Sequence, residues 1–152
     1  MKFKKSLFNL YKIIMDRIIA LILIIVLIPI FILLSIWIKL DSKGPIFFVQ
    51  KRIGRDLKTF DMIKFRTMKI DTPKNTPTHQ LKNPDQWLTK IGKFLRRTSL
   101  DELPQLINII RGEMSFIGPR PALWNQDDLI SEREEYKAHS VKPGITGYAQ
   151  VY

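Results

Sequence analysis

The sequence predicts an α+β protein in which a membrane-embedded N-terminal helical hairpin, residues 1–40, leads into a small mixed domain of strands and helices, residues 41–152. Three observations predict it. An unbroken apolar run of 21 residues, Ile18 to Ile38, has Ser35 as its one conventionally polar member, and a run of that length belongs in lipid. The whole chain is nevertheless 45% hydrophobic and 26% charged over 152 residues, too mixed for a protein wholly immersed in a bilayer. After the run, short strand-like stretches bounded by turn residues alternate with stretches of helical period, the pattern of a mixed domain.

The apolar run leads into Lys39, Leu40 and Asp41 with no small-x-small cleavage site, so it reads as a retained anchor rather than a signal peptide. At about 1.5 Å per residue it spans roughly 31 Å, enough for one straight crossing. Two features favour a re-entrant course instead. Lys2, Lys4, Lys5, Lys12 and Arg17 precede the run and Lys39, Lys43, Lys51, Arg52 and Arg55 follow it, and the positive-inside rule then places both ends at the cytoplasmic face. Pro29 lies near the midpoint, where a missing donor and a clash with the preceding turn suit two half-helices that dip in and return. Trp37 fits an interfacial anchor in either course.

Asp41 to Pro45 reads as a turn, Ile46 to Val49 as a short strand, and Lys51 to Lys58 as a basic bend. Strand alternation from Thr59 to Thr67 puts Phe60, Met62, Lys64 and Arg66 on one face, which suits either a phosphate site or a solvated edge. Asp71 to Asp85, with Pro73, Pro77 and Pro84, reads as a loop or lid. Trp87, Leu88, Ile91, Phe94 and Leu95, with Lys90, Lys93, Arg96 and Arg97 around them, give a basic amphipathic helix suited to an anionic interface or to packing on its own domain. A second helix is expected from Ser99 onward, with Pro104 in its first turn and Gly112 as its left-handed cap. Asp127 to Lys137 is a charged helix, and Lys142 to Gly147 a Pro/Gly-rich loop.

A formal net charge of +11 calls for an anionic partner: nucleic acid, acidic phospholipid or a phosphorylated substrate. No aromatic-and-basic nucleic-acid module stands out. The chain has no cysteine, which removes disulfides, thiolate nucleophiles and Cys-ligated zinc, and His79 and His139 are too scattered for a histidine metal site. Walker, dinucleotide-binding and nucleophile-elbow motifs are missing. The segment Thr98-Ser99-Leu100-Asp101-Glu102-Leu103-Pro104-Gln105, preceded by Arg96 and Arg97, remains. It reads in two ways. Ser99 and Glu102 can form a capping box with Asp101 complementing the helix dipole. Alternatively Asp101, kept ionised by the helix start and the arginines, attacks the phosphorus of a diphosphate, with Glu102 managing a proton or metal. That chemistry requires magnesium and cations to neutralise the phosphate oxygens. Lys64, Arg66, Arg96 and Arg120 are the candidates, Arg120 being bracketed by Pro119 and Pro121.

Several ordered blocks carry a resemblance over nearly the whole chain: Gly44-Pro45, Gln50-Lys51-Arg52-Ile53-Gly54, Lys64-Phe65-Arg66-Thr67-Met68, Ser99 through Gln105, Gly112-Glu113-Met114-Ser115, Gly118-Pro119-Arg120-Pro121, Pro143-Gly144-Ile145-Thr146-Gly147 and Ala149-Gln150-Val151. With them the sequence resembles the monotopic phosphoglycosyl transferases, the bacterial sugar transferases that initiate surface-glycan assembly. The resemblance implies a re-entrant membrane helix, a small interfacial α/β catalytic domain, and an Asp-Glu dyad acting with Mg2+, here Asp101 and Glu102, with Asp101 at the metal. It implies a two-step exchange: Asp101 captures the phosphosugar of a UDP-sugar and expels UMP, and undecaprenyl phosphate then takes the phosphosugar. Family members continue after the Ala-Gln-Val block with Asn-Gly-Arg and further helices, whereas Tyr152 follows here, so the chain reads as C-terminally truncated against that pattern. Two alternatives are a non-catalytic, membrane-anchored basic protein that binds acidic lipid or nucleic acid, and an inactive, truncated transferase that only docks downstream partner glycosyltransferases.

Overall fold

A computed structural model describes residues 2–73 and 83–147 of the chain. His79, most of the expected loop after Asp71 and the Ala149-Gln150-Val151 block lie outside the described residues. The described part is a mixture of helix and strand with one long apolar N-terminal helix.

That helix, α1 (Lys2–Asp41), is a single element of 40 residues with Pro29 inside it. The helix runs through Pro29 without a break, so the expected division into two half-helices is not seen as two separate elements. A proline costs one backbone hydrogen bond and crowds the preceding turn, but the turns on both sides of Pro29 are held against the same domain. Ala20, Leu34 and Ile38 are buried and Leu23, Ile24, Leu27 and Phe31 partly so, a stripe at helical spacing. Away from this stripe, Ile18, Ile22, Ile25, Val26, Leu33, Ile36, Trp37 and Leu40 are exposed. An apolar face of this extent has no place in water, and it marks α1 as membrane-associated.

A β-hairpin follows. Strands β1 (Phe47–Ile53) and β2 (Thr59–Phe65) pair antiparallel, with Phe48 opposite Lys64, Gln50 opposite Met62 and Arg52 opposite Phe60. β1 continues through Lys51 and Arg52, which the sequence assigns to a bend. The turn is confined to Gly54–Lys58, closed by the Gly54 amide donating to the Lys58 carbonyl at 2.8 Å. Side chains alternate across the hairpin, so Phe48, Gln50, Arg52, Lys64 and Met62 share one face.

Helix α2 (Lys90–Thr98) starts at Thr89, whose hydroxyl accepts from the Gly92 amide at 3.0 Å, a side-chain cap that satisfies an otherwise orphaned donor. Ser99 takes a left-handed conformation (φ 57°) and ends α2, after which Leu100–Glu102 form a 3-10 turn and α3 (Gln105–Arg111) begins beyond Pro104. The helix expected from Ser99 is thus split, because Ser99 is used as a C-cap. Gly112 does end α3 in the left-handed region (φ 81°), as its lack of a Cβ favours. Strand β3 (Ser115–Ile117), helix α4 (Asp127–Glu135) and strand β4 (Gly144–Thr146) complete the described fold. β4 lies where a loop was expected, paired in parallel with β3.

Two cores result, and α1 completes both. Phe60 and Met62 of β2 meet Leu106 and Ile109 of α3, Met114 and Ala20. Phe65, Ile91 and Leu95 meet Leu34 and Ile38, with Phe31 and Phe65 ring centroids 5.3 Å apart. Polar contacts also tie α1 to the domain, ahead of the apolar run at Asp16 and at the C-terminal end at Asp41. Ser115 donates to Asp16 at 2.7 Å and accepts from the Lys12 ammonium, while Asp41 accepts from the Ile91 amide at 3.1 Å.

Between the layers, Asn108 is fully buried. Its Oδ1 accepts from the Ile63 amide at 3.1 Å, and its Nδ2 donates to the Asp61 carbonyl at 2.8 Å and to Glu113 at 2.7 Å. Asn108→Ala removes three hydrogen bonds to partly buried partners and is expected to cost about 1–3 kcal/mol. Denaturant unfolding of the detergent-solubilised chain checks this; an unchanged midpoint would show that water replaces the side chain.

Candidate active site

The inner face of the hairpin, the Leu100–Glu102 turn and the segment Arg66–Pro73 enclose a cavity of about 820 Å³. Asp101 and Glu102 line it, as do Arg52, Lys64, Arg66, Arg96 and Arg120. The four cations and two carboxylates singled out in the sequence therefore converge on one space. Arg52, which the resemblance places only in the block of residues 50–54 and not among the four candidates, joins them, as does Lys69.

Asp101 is 7% exposed. Burial pushes its carboxyl pKa up, opposed by the charge of Lys64; Glu102 adds to the rise, and Arg96 and a backbone hydrogen bond oppose it. Desolvation penalises the charged form and nearby cations restore it. Of the expected supports for the ionised form, Arg96 is in place, and the helix start is a 3-10 turn that contributes one backbone hydrogen bond. Lys64, not foreseen in this role, adds the largest opposing charge.

Glu102 does not cap. Its Oε1 accepts from Lys64 Nζ at 2.6 Å and lies 3.5 Å from Arg120 Nη2, and Ser99 makes no side-chain capping bond. The capping-box reading is thus excluded by geometry: a residue in a left-handed C-cap cannot also present the extended backbone of an N-cap. Lys64 and Glu102 are both largely buried, so removing either partner strands the other in a poorly solvated place. Burial lowers the Lys64 pKa, with Glu102 opposing the fall. Half-exposed Arg120 forms the weaker contact.

Arg96 Nε donates to the Thr67 hydroxyl at 3.0 Å, and burial lowers its pKa while Asp101 raises it. Arg52 donates to the Gln50 side chain at 2.6 Å and the Pro121 carbonyl at 3.2 Å. Burial, then the charge of Arg120, push its pKa down to about 10, against Glu102, so it stays protonated at neutral pH. Its Nε is buried without a partner among the described residues. Period-two alternation was the available signal: Phe48, Gln50 and Arg52 share the face of Lys64 once β1 is allowed its full length.

Arg66 serves the site differently from Lys64. Its Nη2 donates to the carbonyl and hydroxyl of Ser42, at 2.8 and 2.9 Å, and its Nη1 to the Lys43 carbonyl. Arg66 thereby ties the cavity wall to the end of α1. Gly44, at φ +124°, makes room for it: a Cβ there would lie 2.0 Å from Arg66 Nη1.

Asp101 and Glu102 are the carboxylates facing the cavity, and no group of three or more metal-binding side chains occurs among the described residues. This donor set fits a hard divalent cation held jointly with substrate phosphate oxygens, as Mg2+ commonly is. A wall of six cations, Arg52, Lys64, Arg66, Lys69, Arg96 and Arg120, around a buried carboxylate fits a polyanionic ligand.

Comparison with known proteins agrees with that class. Residues 7–152 match the family model described as bacterial sugar transferase, and the chain belongs to this family. Over 150 residues, or 97% of the chain and 31% of the relative, it is 39% identical to a UDP-glucose:undecaprenyl-phosphate glucose-1-phosphate transferase of Xanthomonas campestris pv. campestris. A protein of the same name from Escherichia coli (strain K12) is 40% identical over 90% of the chain and 30% of the relative. A UDP-N-acetylgalactosamine-undecaprenyl-phosphate N-acetylgalactosaminephosphotransferase of Aeromonas hydrophila is 37% identical over 90% of the chain and 33% of the relative. The chain spans about a third of the length of these curated relatives.

Gly44→Ala is expected to displace the Arg66 guanidinium and strain a positive-φ residue, destabilising the chain by about 1–3 kcal/mol. Unfolding midpoints measured beside Arg66→Lys check it. Lys64→Met removes the main cation opposing desolvation of Asp101, so the Asp101 pKa should move further up, as read by carboxyl-carbon NMR titration.

Proposed function

We propose that this chain transfers a phosphosugar from a UDP-sugar to undecaprenyl phosphate, releasing UMP, as the opening step of surface polysaccharide or glycoconjugate synthesis at the cytoplasmic face of the membrane. The observation that carries this reading is the buried Asp101 set among Lys64, Arg96, Arg52 and Arg120 in one cavity, together with family membership.

In the proposed first half-reaction, an Asp101 carboxylate oxygen attacks the sugar-bearing phosphorus of the UDP-sugar. A new P–O bond forms as the bond to the bridging oxygen breaks, and UMP leaves with that oxygen and the electron pair. In the second, a phosphate oxygen of undecaprenyl phosphate attacks the same phosphorus, and the Asp101 carboxylate leaves unchanged. Carboxylate attack on a diphosphate is opposed by charge, and Lys64, Arg96, Arg52 and Arg120 lower that barrier by facing the non-bridging oxygens. Glu102 holds Lys64 and Arg120 in place; Arg66 fixes the wall. Asp101, with Glu102 nearby, would hold Mg2+, which would supply further neutralisation of phosphate charge.

A re-entrant course for α1, with both ends at one bilayer face, is supported by the contacts of Asp16 and Asp41 with the same domain. These residues are about 38 Å apart along a helix of ~1.5 Å rise.

The test is UMP release from a panel of UDP-sugars with Mg2+, with and without undecaprenyl phosphate. The panel includes UDP-glucose and UDP-N-acetylgalactosamine, because relatives named for both sugars stand at similar identity. Asp101→Asn should abolish release, while Asp101-dependent release without acceptor should stop near one UMP per protein. Because the ionised carboxylate reacts and its pKa is raised, the rate should rise with pH through a midpoint above the ordinary aspartate value. An active Asp101→Asn protein would overturn the mechanism. For topology, cysteines placed at positions 7 and 43 should both react with reagent from the cytoplasmic side only; labelling from opposite sides would refute the re-entrant course.

A further inference from the structure

Helix α2 turns three different faces to three surroundings. Ile91 and Leu95 are buried against Leu34 and Ile38 of α1, Arg96 lines the cavity, and Lys90, Lys93 and Arg97 are exposed. At about 100° per residue these last three fall within an arc of roughly 60°, opposite the buried side. Phe94 flanks the arc, 5.7 Å between ring centroids from Trp37. Trp37 is exposed at the end of the apolar face of α1, and exposed Lys39 and Leu40 follow it. The cationic stripe therefore continues the apolar surface of α1 at the level where lipid gives way to water.

None of Lys39, Lys90, Lys93 and Arg97 has an ion-pair partner among the described residues, and residues 74–82 and 148–152 contain no Asp or Glu. The nearby carboxylate, Asp41, is engaged by the Ile91 amide. Unpaired cations beside an apolar, membrane-associated face lack internal compensation and match the negative surface of an anionic leaflet.

We propose that Lys90, Lys93 and Arg97, with Lys39, form a docking surface for anionic phospholipid headgroups that sets the depth and tilt of the domain on the membrane. The proposal rests on the reading of α1 as lipid-facing. Helix α2 then has two roles, because the same helix that presents Arg96 to the cavity holds that cavity at the height of a lipid phosphate.

The experiment measures equilibrium partition of the full chain, by co-flotation at limiting lipid, onto vesicles of phosphatidylcholine alone or mixed with phosphatidylglycerol. Wild type is compared with the triple variant Lys90→Gln/Lys93→Gln/Arg97→Gln and with Lys51→Gln/Lys58→Gln/Lys137→Gln, which removes the same charge from exposed lysines elsewhere. On mixed vesicles the α2 triple should lose about fivefold per charge, on the order of 100-fold in all, while the control triple loses far less. On phosphatidylcholine alone all three proteins should bind alike, and high salt should collapse the difference on mixed vesicles. Replacement of Lys90 and Lys93 by Arg should retain wild-type partition. Equal losses in both triples, no loss in the α2 triple, or a loss on phosphatidylcholine as well would each overturn the proposal. Partition needs no turnover, so failure of the transferase reading leaves this result intact, and binding to phosphatidylcholine tests the lipid-facing α1 separately from the anionic increment.

Discussion

The fold is organised around the cost of taking Asp101 out of water. A buried carboxylate either neutralises or acquires cations, and those cations, once buried, need partners of their own. Lys64 is answered by Glu102, Arg96 by Thr67, and Arg52 by Gln50 and the Pro121 carbonyl. Each answer draws in another element: β2 for Lys64, α2 for Arg96, β1 for Arg52. The elements cannot be rearranged independently without stranding a charge, and the same balance that holds them leaves a carboxylate surrounded by positive charge.

Helix α1 is subject to a different constraint, since one side must match a protein core and the other a bilayer. Its inner stripe completes both apolar clusters of the domain, so the domain lacks two of its walls without it. Each well-buried aliphatic side chain on that stripe contributes on the order of 1.5–3 kcal/mol. Asp41 and Ser42 join this helix to the site, because Asp41 accepts from the start of α2 and Ser42 from Arg66. Anchoring and cavity shape are thereby one mechanical unit. Gly44 is the residue that lets the chain turn so tightly past the Arg66 guanidinium.

Much of this was legible in the residues, and the misreadings have physical reasons. The Gly112 cap, the amphipathic α2 and the charged α4 follow from local rules acting over one or two turns. The Ser99-x-x-Glu102 pattern satisfies the rule for a capping box but does not form one, because Glu102 gains more from Lys64, 38 positions away in sequence. β4 was hidden for a related reason: its three residues form a strand only because β3 offers a parallel edge. Pro29 reads as a break, yet packing on both sides of it carries the helix through.

By itself, the sequence determined that an apolar segment belongs in lipid, that a small α+β domain follows, and that Asp101 and Glu102 stand beside basic residues, since these depend on composition, period and adjacency. Only the tertiary structure decided that Arg52 joins the cavity, that Arg66 turns to the end of α1, and that burial raises the Asp101 pKa. Those outcomes depend on distances between residues far apart in the chain and on how much water each retains, and neither quantity is carried by local pattern.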